Sequence, residues 1–172
     1  QVAYTDDWTA DASRRDFTMN ALYADLDGNV FDPLGGMADV EARRVRFIGD
    51  PHERIKEDAL RILRFFRFHA QFDLLSYDAD GLSACHAHFD LIANLSGERI
   101  REELFKILMS PAANRVLNEI EFLDLFLELF PVHEKAELAF SLAFITAREN
   151  QLGMRDPLRR LAMLLPDPAG AA

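Results

Sequence analysis

Asp58 and Arg61 stand three positions apart in a stretch with helical hydrophobic spacing, which predicts both side chains on one helical face. Aspartate accepts hydrogen bonds, whereas arginine only donates them. Adenine and cytosine present an amino donor beside a ring-nitrogen acceptor, and guanine and uracil present the reverse order. This couplet would favour the first two bases, because a wrong base leaves polar groups unpaired at roughly 1–3 kcal/mol each. The alternative is a common i,i+3 ion pair on a solvated face.

A second candidate group is Arg14-Arg15-Asp16, followed by Phe17 and Thr18. The planar fork of arginine binds phosphate oxygens, and a neighbouring carboxylate can accept a hydrogen bond from a ribose hydroxyl. The alternative is a charged turn that leads into a buried segment. The nearby Asp32-Pro33-Leu34-Gly35-Gly36 is typical of a turn, in which the glycines permit positive φ.

The histidines and the one cysteine do not predict a metal site. In Cys85-His86-Ala87-His88, three candidate ligands fall within four residues and cannot all point the same way from a helix. A fourth ligand is not evident from the sequence.

The composition is that of a globular protein, with 172 residues, 49% hydrophobic and 28% charged. Its net charge of −10 argues against a broad basic face for nucleic acid. Between Arg43 and Arg67, however, eight basic residues face four acidic ones, which favours a local anion site. No apolar run approaches the roughly 20 residues needed to cross a bilayer. The composition therefore predicts a cytoplasmic protein without a membrane segment.

The first 50 residues predict strands. We expect a strand at Val2–Thr5, a polar loop with Asp6, Asp7 and Asp11, and a third strand at Val45–Ile48. Leu22–Leu26 and Asn29–Phe31 flank Asp27-Gly28, which predicts a hairpin with a type I′ turn. Three short strands cannot easily bury a core by themselves, so we expect the chain to be a fragment of a larger protein.

After Gly49 the pattern becomes helical. Asp50 and Pro51 predict the start of one helix that continues to about His69, and its phenylalanines predict a core. Further predicted helices begin at Ser96, at Ser110-Pro111 with a run to Phe130, around Leu138, Leu142 and Ile145, and at Asp156-Pro157. The predicted fold class is α+β, mostly α.

Several motifs occur in one order. They are Arg-Arg-Asp-Phe-Thr-Met-Asn-Ala from residue 14, Asp-Pro-Leu-Gly-Gly-Met-Ala-Asp from residue 32, Arg-Phe-Ile-Gly-Asp-Pro from residue 46, and Glu-Asp-Ala-Leu-Arg-Ile-Leu-Arg-Phe-Phe-Arg-Phe from residue 57. This order resembles the bacterial tRNA nucleotidyltransferase and poly(A) polymerase family, the class II CCA-adding enzymes. Glu98-Arg99-Ile100 resembles the next motif of that family.

The resemblance implies the C-terminal part of a nucleotidyltransferase (palm) head with a β-hairpin in residues 1–50, a helical neck in 51–109 and part of a helical body in 110–172. It implies that CMP or AMP is transferred from CTP or ATP to the 3′ end of tRNA or another RNA, with release of pyrophosphate. Asp58 and Arg61 would be the template for the base. Arg14, Arg15 and Asp16 would bind the nucleotide, with Asp16 near the ribose and Arg64 near the triphosphate.

The resemblance also implies a flexible head–neck motif at residues 32–39 and a helix after Ser96 that supports the template helix. The two carboxylates that hold Mg²⁺ in the family belong upstream of Arg14, in the missing N-terminal part of the head. We therefore expect no catalytic or metal-binding residue in this chain, and no transfer by the chain alone. CCA addition and polyadenylation share every motif seen here. The sequence also leaves open a non-catalytic nucleotide- or RNA-binding module and a helical interaction domain.

Overall fold

The computed structural model describes residues 7–129, 144, 145, 147–149, 151, 153 and 155–164, most of them helical. Its elements are α1 (Trp8–Arg14), a 3-10 turn (Thr18–Asn20), β1 (Tyr23–Ala24), β2 (Val30–Phe31), α2 (Gly36–Glu41), α3 (Pro51–Glu57), α4 (Leu60–Phe72), α5 (Ala79–Ala87), a second 3-10 helix (Phe89–Asn94), α6 (Gly97–Met109), α7 (Ala113–Asn118), α8 (Ile120–Leu129) and α9 (Pro157–Leu164). The predicted class, α+β and mostly α, is confirmed. The predicted strand at Val2–Thr5 and the positions Asp6, Phe130, Leu138 and Leu142 lie outside the described residues.

The start of the described chain is a helix, so the predicted polar loop is wrong. Asp7 Oδ1 accepts hydrogen bonds from the N–H groups of Thr9 and Ala10 at 3.0 and 3.1 Å, which caps α1. Asp11 lies inside this helix. The C-terminal end of α1 carries Arg14, so the helix positions the first candidate site residues.

The hairpin is confirmed, but its predicted type I′ turn is wrong. Strands β1 and β2 are antiparallel, with Tyr23 opposite Phe31 and Ala24 opposite Val30. Among the residues of the connection only Gly28 has a positive φ, of 85°, whereas a type I′ turn needs two. The Gly28 N–H donates to Asp25 O, and the Asp25 N–H donates to Asn29 O, which is the pattern of a longer loop with a bulge at glycine.

Among the described residues, the predicted strand at Val45–Ile48 forms a single bridge, between Phe17 and Phe47. The Phe17 ring lies 4.9 Å from Phe47 and 5.2 Å from Phe68, between ring centroids. Phe17 and Phe47 therefore belong to the same core cluster as the buried face of α4. Because of this packing, the segment around Arg14 and Asp16 lies against α4.

The helix predicted from Pro51 to His69 is two helices. Asp58 has an extended backbone, with φ −156° and ψ 103°, and ends α3 before α4 begins at Leu60. The run predicted from Ser110 is likewise divided into α7 and α8 at Glu119. The predicted starts at Ser96 and Asp156-Pro157 are confirmed by α6 and α9.

Helix α4 is central, and α6 packs against it most extensively. Phe65, Phe66 and Phe68 are buried as predicted, whereas Phe72 is exposed at the end of the helix.

No helix in the described part of the chain is both long and apolar enough to cross a membrane. The division of the chain at residues 50 and 109 stays a prediction.

Candidate functional site

One open cavity of about 270 Å³ is lined by all six residues that the sequence predicts for the site. They are Arg14, Arg15, Asp16, Asp58, Arg61 and Arg64, and Asn20 completes the lining. The four arginines and two aspartates give the cavity a net charge of +2, in a chain whose net charge is −10. These residues thus form a locally positive cavity between α1 and the α3–α4 junction of an acidic chain, and an anion site there stays a prediction.

Asp16 lies at the buried wall of this cavity. Its Oδ1 accepts hydrogen bonds from the Phe17 N–H and from Asn20 Nδ2, both at 3.0 Å, and its Oδ2 lies 2.5 Å from Arg64 Nε. Burial opposes ionisation of Asp16, but the hydrogen bonds from Arg64 and Asn20 outweigh it and lower the pKa. A carboxylate has about four acceptor positions, so these three bonds leave room for a ligand hydroxyl.

Arg14 and Arg15 lie at the end of α1, which Arg54 holds in place. Arg54 Nη2 donates to the carbonyl oxygens of Arg14, at 3.0 Å, and of Arg15. A cation at this position is favourable because the last carbonyls of a helix carry partial negative charge. The Arg15 guanidinium pairs with Asp11 at 2.9 Å, whereas Arg14 is exposed and forms no ion pair with any described residue.

Asp58 lines the cavity from the junction of α3 and α4, not from within a helix. Its Oδ1 accepts a hydrogen bond from the Leu60 N–H at 3.2 Å, and its Oδ2 pairs with Arg99 Nη2 of α6 at 2.8 Å. Aspartate readily forms such a bond to its own backbone two residues on, which favours a helix start over a helix interior. The predicted common helical face of Asp58 and Arg61 is therefore wrong, although both side chains reach the same cavity.

Arg61 lies in the first turn of α4. Its Nη1 donates to Arg54 O at 2.5 Å and to Glu57 Oε2 at 2.7 Å. Arg54 Nη1 also donates to Glu57 Oε2, at 2.5 Å. Arg61 therefore pairs with Glu57 of α3, while its Nε and Nη2 donate to no other described residue.

Arg64 connects the cavity to a buried carboxylate on α6. The Arg64 Nη1 lies 4.0 Å from Glu103 Oε1, and Glu103 also pairs with Arg67 at 2.7 Å and Lys106 at 2.8 Å. Glu103 is only 3% exposed. Helix α6 thus contacts two of the lining residues, Asp58 through Arg99 and Arg64 through Glu103.

The segment of residues 32–39 lies beside the site without lining it. Asp32 accepts hydrogen bonds from the Gly36 and Met37 N–H groups at 2.7 and 2.9 Å and so begins α2. Asp39 is fully buried and accepts hydrogen bonds from Thr18 Oγ1 at 2.6 Å and from Arg44 and Arg46 at 2.7 and 2.9 Å. Thr18 follows Asp16 by two residues, so Asp39 ties the wall of the cavity to α2.

Sequence reasoning did not find Asn20 or Arg54 as parts of the site. Asn20 lies within the motif that starts at Arg14, and its spacing from Asp16 was the signal available. Arg54 donates hydrogen bonds to backbone carbonyls 39 and 40 positions away, and no local sequence pattern predicts such a contact.

The Cys85–His88 group is not a metal cluster in the structure. Cys85 is fully buried, and His88 Nε2 lies 3.1 Å from His52 Nδ1. Within the ranges that the structure describes, no group of three or more His, Cys, Asp or Glu side chains is placed to hold a metal ion.

Two protein families match this chain. Residues 1–46 match the family described as "Poly A polymerase head domain", and residues 76–137 match "Probable RNA and SrmB- binding site of polymerase A". The human protein named "CCA tRNA nucleotidyltransferase 1, mitochondrial" is 40% identical over 126 residues, which are 72% of this chain. The chain belongs to the tRNA nucleotidyltransferase and poly(A) polymerase family.

Two solved structures of this family have the same fold. The Bacillus stearothermophilus CCA-adding enzyme in complex with CTP is 35% identical, with a TM-score of 0.64 over 67% of this chain. A CCA-adding enzyme in complex with ATP is 26% identical, with a TM-score of 0.75 over 90% of this chain.

The chain spans 29% of the length of the human relative, 29% of the B. stearothermophilus chain and 38% of the chain solved with ATP. It therefore corresponds to less than half of each of these family members.

Proposed function

We propose that the complete protein containing this chain adds CMP and AMP from CTP and ATP to the 3′ end of tRNA, completing CCA. The observation that carries this proposal is the single cavity that gathers Arg14, Arg15, Asp16, Asp58, Arg61 and Arg64. The relatives are named for CCA addition, and one was solved with CTP and another with ATP.

In this proposal Asp58 and Arg61 select the base. Asp58 keeps free acceptor positions beside its bonds to Leu60 and Arg99, and Arg61 keeps Nε and Nη2 as donors. Adenine and cytosine both offer an amino group to Asp58 and a ring nitrogen to Arg61. One arrangement of protein groups then serves both nucleotides that CCA addition needs.

The other cavity residues bind the rest of the nucleotide. Arg14, Arg15 and Arg64 bring guanidinium groups toward the triphosphate, for which a planar fork of donors is well suited. Asp16 is held rigidly by Phe17, Asn20 and Arg64, and its remaining acceptor position suits a ribose hydroxyl. A ribose contact of this kind would favour ribonucleotides over deoxyribonucleotides.

Mg²⁺ is part of the proposal for the complete protein, because phosphoryl transfer relies on metal-assisted charge stabilisation. The described cavity does not suit the ion, since Asp16 and Asp58 already bind N–H donors and arginines fill the lining. These residues therefore carry no step that runs through a metal. In keeping with the family resemblance, the ion would be held by another part of the complete protein.

Transfer by the complete polypeptide tests the proposed function. It would be incubated with Mg²⁺, CTP, ATP and a tRNA that lacks its 3′ CCA, and products would be sized on a sequencing gel. Addition of C, C and A followed by a stop is expected, while the 172-residue chain alone is expected to add nothing. Long adenosine tracts would identify a poly(A) polymerase, and no addition by the complete polypeptide would favour a binding module.

The cytoplasmic location predicted from composition is also a proposal. The human relative is named as a mitochondrial protein. Subcellular fractionation of cells that express the complete protein would distinguish these two locations.

A further inference from the structure

The cavity has two sides, and Arg54 contacts both. The α1 side carries Arg14 and Arg15, and the α3–α4 side carries Asp58 and Arg61. Arg54 Nη2 donates to the carbonyl oxygens of Arg14, at 3.0 Å, and of Arg15. The Arg54 carbonyl oxygen in turn accepts a hydrogen bond from Arg61 Nη1 at 2.5 Å. One residue therefore joins the two sides.

Glu57 adds a second connection between Arg54 and Arg61. One oxygen of its carboxylate, Oε2, lies 2.5 Å from Arg54 Nη1 and 2.7 Å from Arg61 Nη1. A carboxylate between two guanidinium groups offsets their mutual repulsion and holds them next to each other. The Glu57 side chain is 54% exposed, whereas those of Arg54 and Arg61 are 13% and 14% exposed. The two arginines are thus enclosed, while their shared acid faces solvent.

Arg54 occupies an electrostatically unfavourable position. Burial and the nearby charge of Arg61 lower the pKa of Arg54. Its Nε is buried and has no hydrogen-bond partner among the described residues. An enclosed cation with an unsatisfied donor is not a contact that stability alone would favour, and such exceptions are expected at functional sites.

A nucleotide that spans the cavity must contact both sides at once. If the sides could move relative to each other, binding would have to order them as well, which weakens affinity. Sides that are already joined bind one linked ligand more tightly than its separate fragments. The Asp16–Arg64 pair joins the sides at the buried wall of the cavity, and Arg54 joins them at Arg14, Arg15 and Arg61.

We propose that Arg54 is a positioning residue that couples triphosphate binding to base reading, because it fixes Arg14 and Arg15 relative to Arg61. This proposal rests on the proposed function, since it assumes that a nucleotide lies with its base at Arg61 and its triphosphate at α1. Arg54 does not line the cavity, so it acts through its partners and not by contact with the nucleotide.

The first test compares ATP with two fragments of it, adenosine and inorganic tripolyphosphate, in the complete polypeptide. Ligand-observed NMR titrations with Mg²⁺ and without RNA would give the three dissociation constants, including weak ones. Arg54→Ala is expected to weaken ATP binding about tenfold and the binding of each fragment no more than about threefold. Each fragment needs only one side of the cavity, so it does not depend on how the sides are joined.

Arg43→Ala is the matched control. Arg43 Nη2 donates to the carbonyl oxygens of Phe72 and Asp73 at 2.7 and 3.2 Å, so it also holds the end of a helix. This contact lies at the other end of α4 from Arg61, and Arg43 does not line the cavity. The variant removes the same charge and the same kind of bond. It should leave the affinities for ATP and for both fragments unchanged.

Glu57→Ala tests the second connection without touching an enclosed side chain. It leaves the bonds from Arg54 to α1 in place, so the protein should fold normally. It is expected to weaken ATP binding about threefold while adenosine and tripolyphosphate bind as before. In this background Arg54→Ala should have a smaller further effect than in the unaltered protein, because part of the connection is already absent.

The outcomes separate this proposal from the proposed function. If the unaltered polypeptide adds no nucleotide to tRNA, the proposed function fails, and the coupling fails with it. If it adds CCA, and Arg54→Ala weakens ATP and both fragments by one common factor, Arg54 only maintains the fold and the coupling alone is refuted. Unchanged ATP affinity in Arg54→Ala, or an equal loss in Arg43→Ala, would also refute it. If circular dichroism shows that Arg54→Ala does not fold, unchanged ATP affinity in Glu57→Ala refutes the coupling.

Discussion

Asp58 and Arg61 differ from the other cavity residues in what their removal should do. Asp58→Ala removes the only acceptor proposed for the amino group of the base, and Arg61→Ala removes the donor for its ring nitrogen. Each variant should lower the preference for ATP and CTP over GTP and UTP roughly tenfold or more, the effect of one unpaired polar group. Competition among the four nucleotides in a primer-extension assay would measure this preference.

Two comparison variants make that prediction specific. Arg14→Ala removes an exposed guanidinium of the same cavity and should weaken binding of all four nucleotides alike, with their ratios unchanged. Asp90→Ala removes an exposed carboxylate away from the cavity lining and should change neither affinity nor ratio. Unchanged ratios in Asp58→Ala and Arg61→Ala would show that this pair does not select the base.

The ionised carboxylate of Asp39 contributes to the stability of the fold. Its burial raises the pKa, but hydrogen bonds from Arg46, Thr18 and Arg44 outweigh this and lower the pKa. A lowered pKa means that the carboxylate stabilises the fold fully above its unfolded pKa near 3.9. That stabilisation is lost as the pH falls through the folded pKa.

Asp39→Asn should therefore lower the free energy of unfolding by about 1–3 kcal/mol at pH 7, the contribution of hydrogen bonds to a charged group. Urea titrations of both proteins from pH 7 to pH 3 would measure the difference. It should stay constant down to about pH 5 and narrow below about pH 4, because Asp39 of the unfolded chain then binds a proton while the folded protein still keeps the carboxylate ionised. A difference independent of pH would show that the charge of Asp39 contributes nothing.

At the scale of secondary structure, the sequence predicted elements where local signals decide and missed breaks where tertiary contacts decide. The start of α6 follows from Ser96, whose side chain can accept a hydrogen bond from the helix itself. The break at Asp58 has no glycine or proline to mark it, and hydrophobic spacing continues across it. Asp58 is extended because its carboxylate bonds to Leu60 and Arg99, and the second partner is 41 residues away.

The contact between α2 and the 3-10 turn gives a prediction at the same scale. A Cβ on Gly36 would lie 2.2 Å from Thr18 O and 2.7 Å from Thr18 C, both backbone atoms. Gly36→Ala should therefore force α2 away from the turn that follows Asp16, and we expect a loss of about 1–3 kcal/mol, typical of overpacking. Thermal unfolding followed by circular dichroism would measure it.

Gly97→Ala is the matched control for this substitution. Gly97 is also the first residue of a helix, but its added Cβ would meet nothing within 4 Å. This variant should be neutral or slightly stabilised, since alanine favours the helix over the unfolded chain. Equal effects of the two substitutions would contradict the close approach of α2 and Thr18.

At the scale of the whole molecule, the site draws on α1, the turn after it, the α3–α4 junction and α6. The family resemblance predicted six lining residues, and the structure brings all six to one cavity. It did not predict their partners, because the bonds from Arg54 to α1 and from Arg99 to Asp58 each span about 40 positions. The sequence thus predicted the groups that could meet a ligand and, through the resemblance, a supporting helix after Ser96, but not the individual side-chain contacts that orient these groups.

The shared core predicts that the first 50 residues and the helices after them unfold together. Phe17, Val45 and Phe47 pack in one cluster with Phe65 and its neighbours on α4. Unfolding of either part would therefore expose core side chains of the other part to water. Trp8 is the one tryptophan of the chain and lies 5.3 Å from Tyr23, between ring centroids, so its fluorescence reports on the first part. Far-ultraviolet circular dichroism reports mainly on the helices.

The two signals should give coincident urea transitions for the 172-residue chain, as expected of one cooperative unit. Phe47→Ala should lower both midpoints together, because it removes about 3–5 kcal/mol from a core that both parts share. Leu75→Ala, at an exposed position after α4, should leave both midpoints unchanged. A fluorescence transition at lower urea than the helical one would mean that the first part unfolds alone. In that case, Arg14 and Asp16 would be free to move away from Asp58 and Arg61 while α4 stays folded.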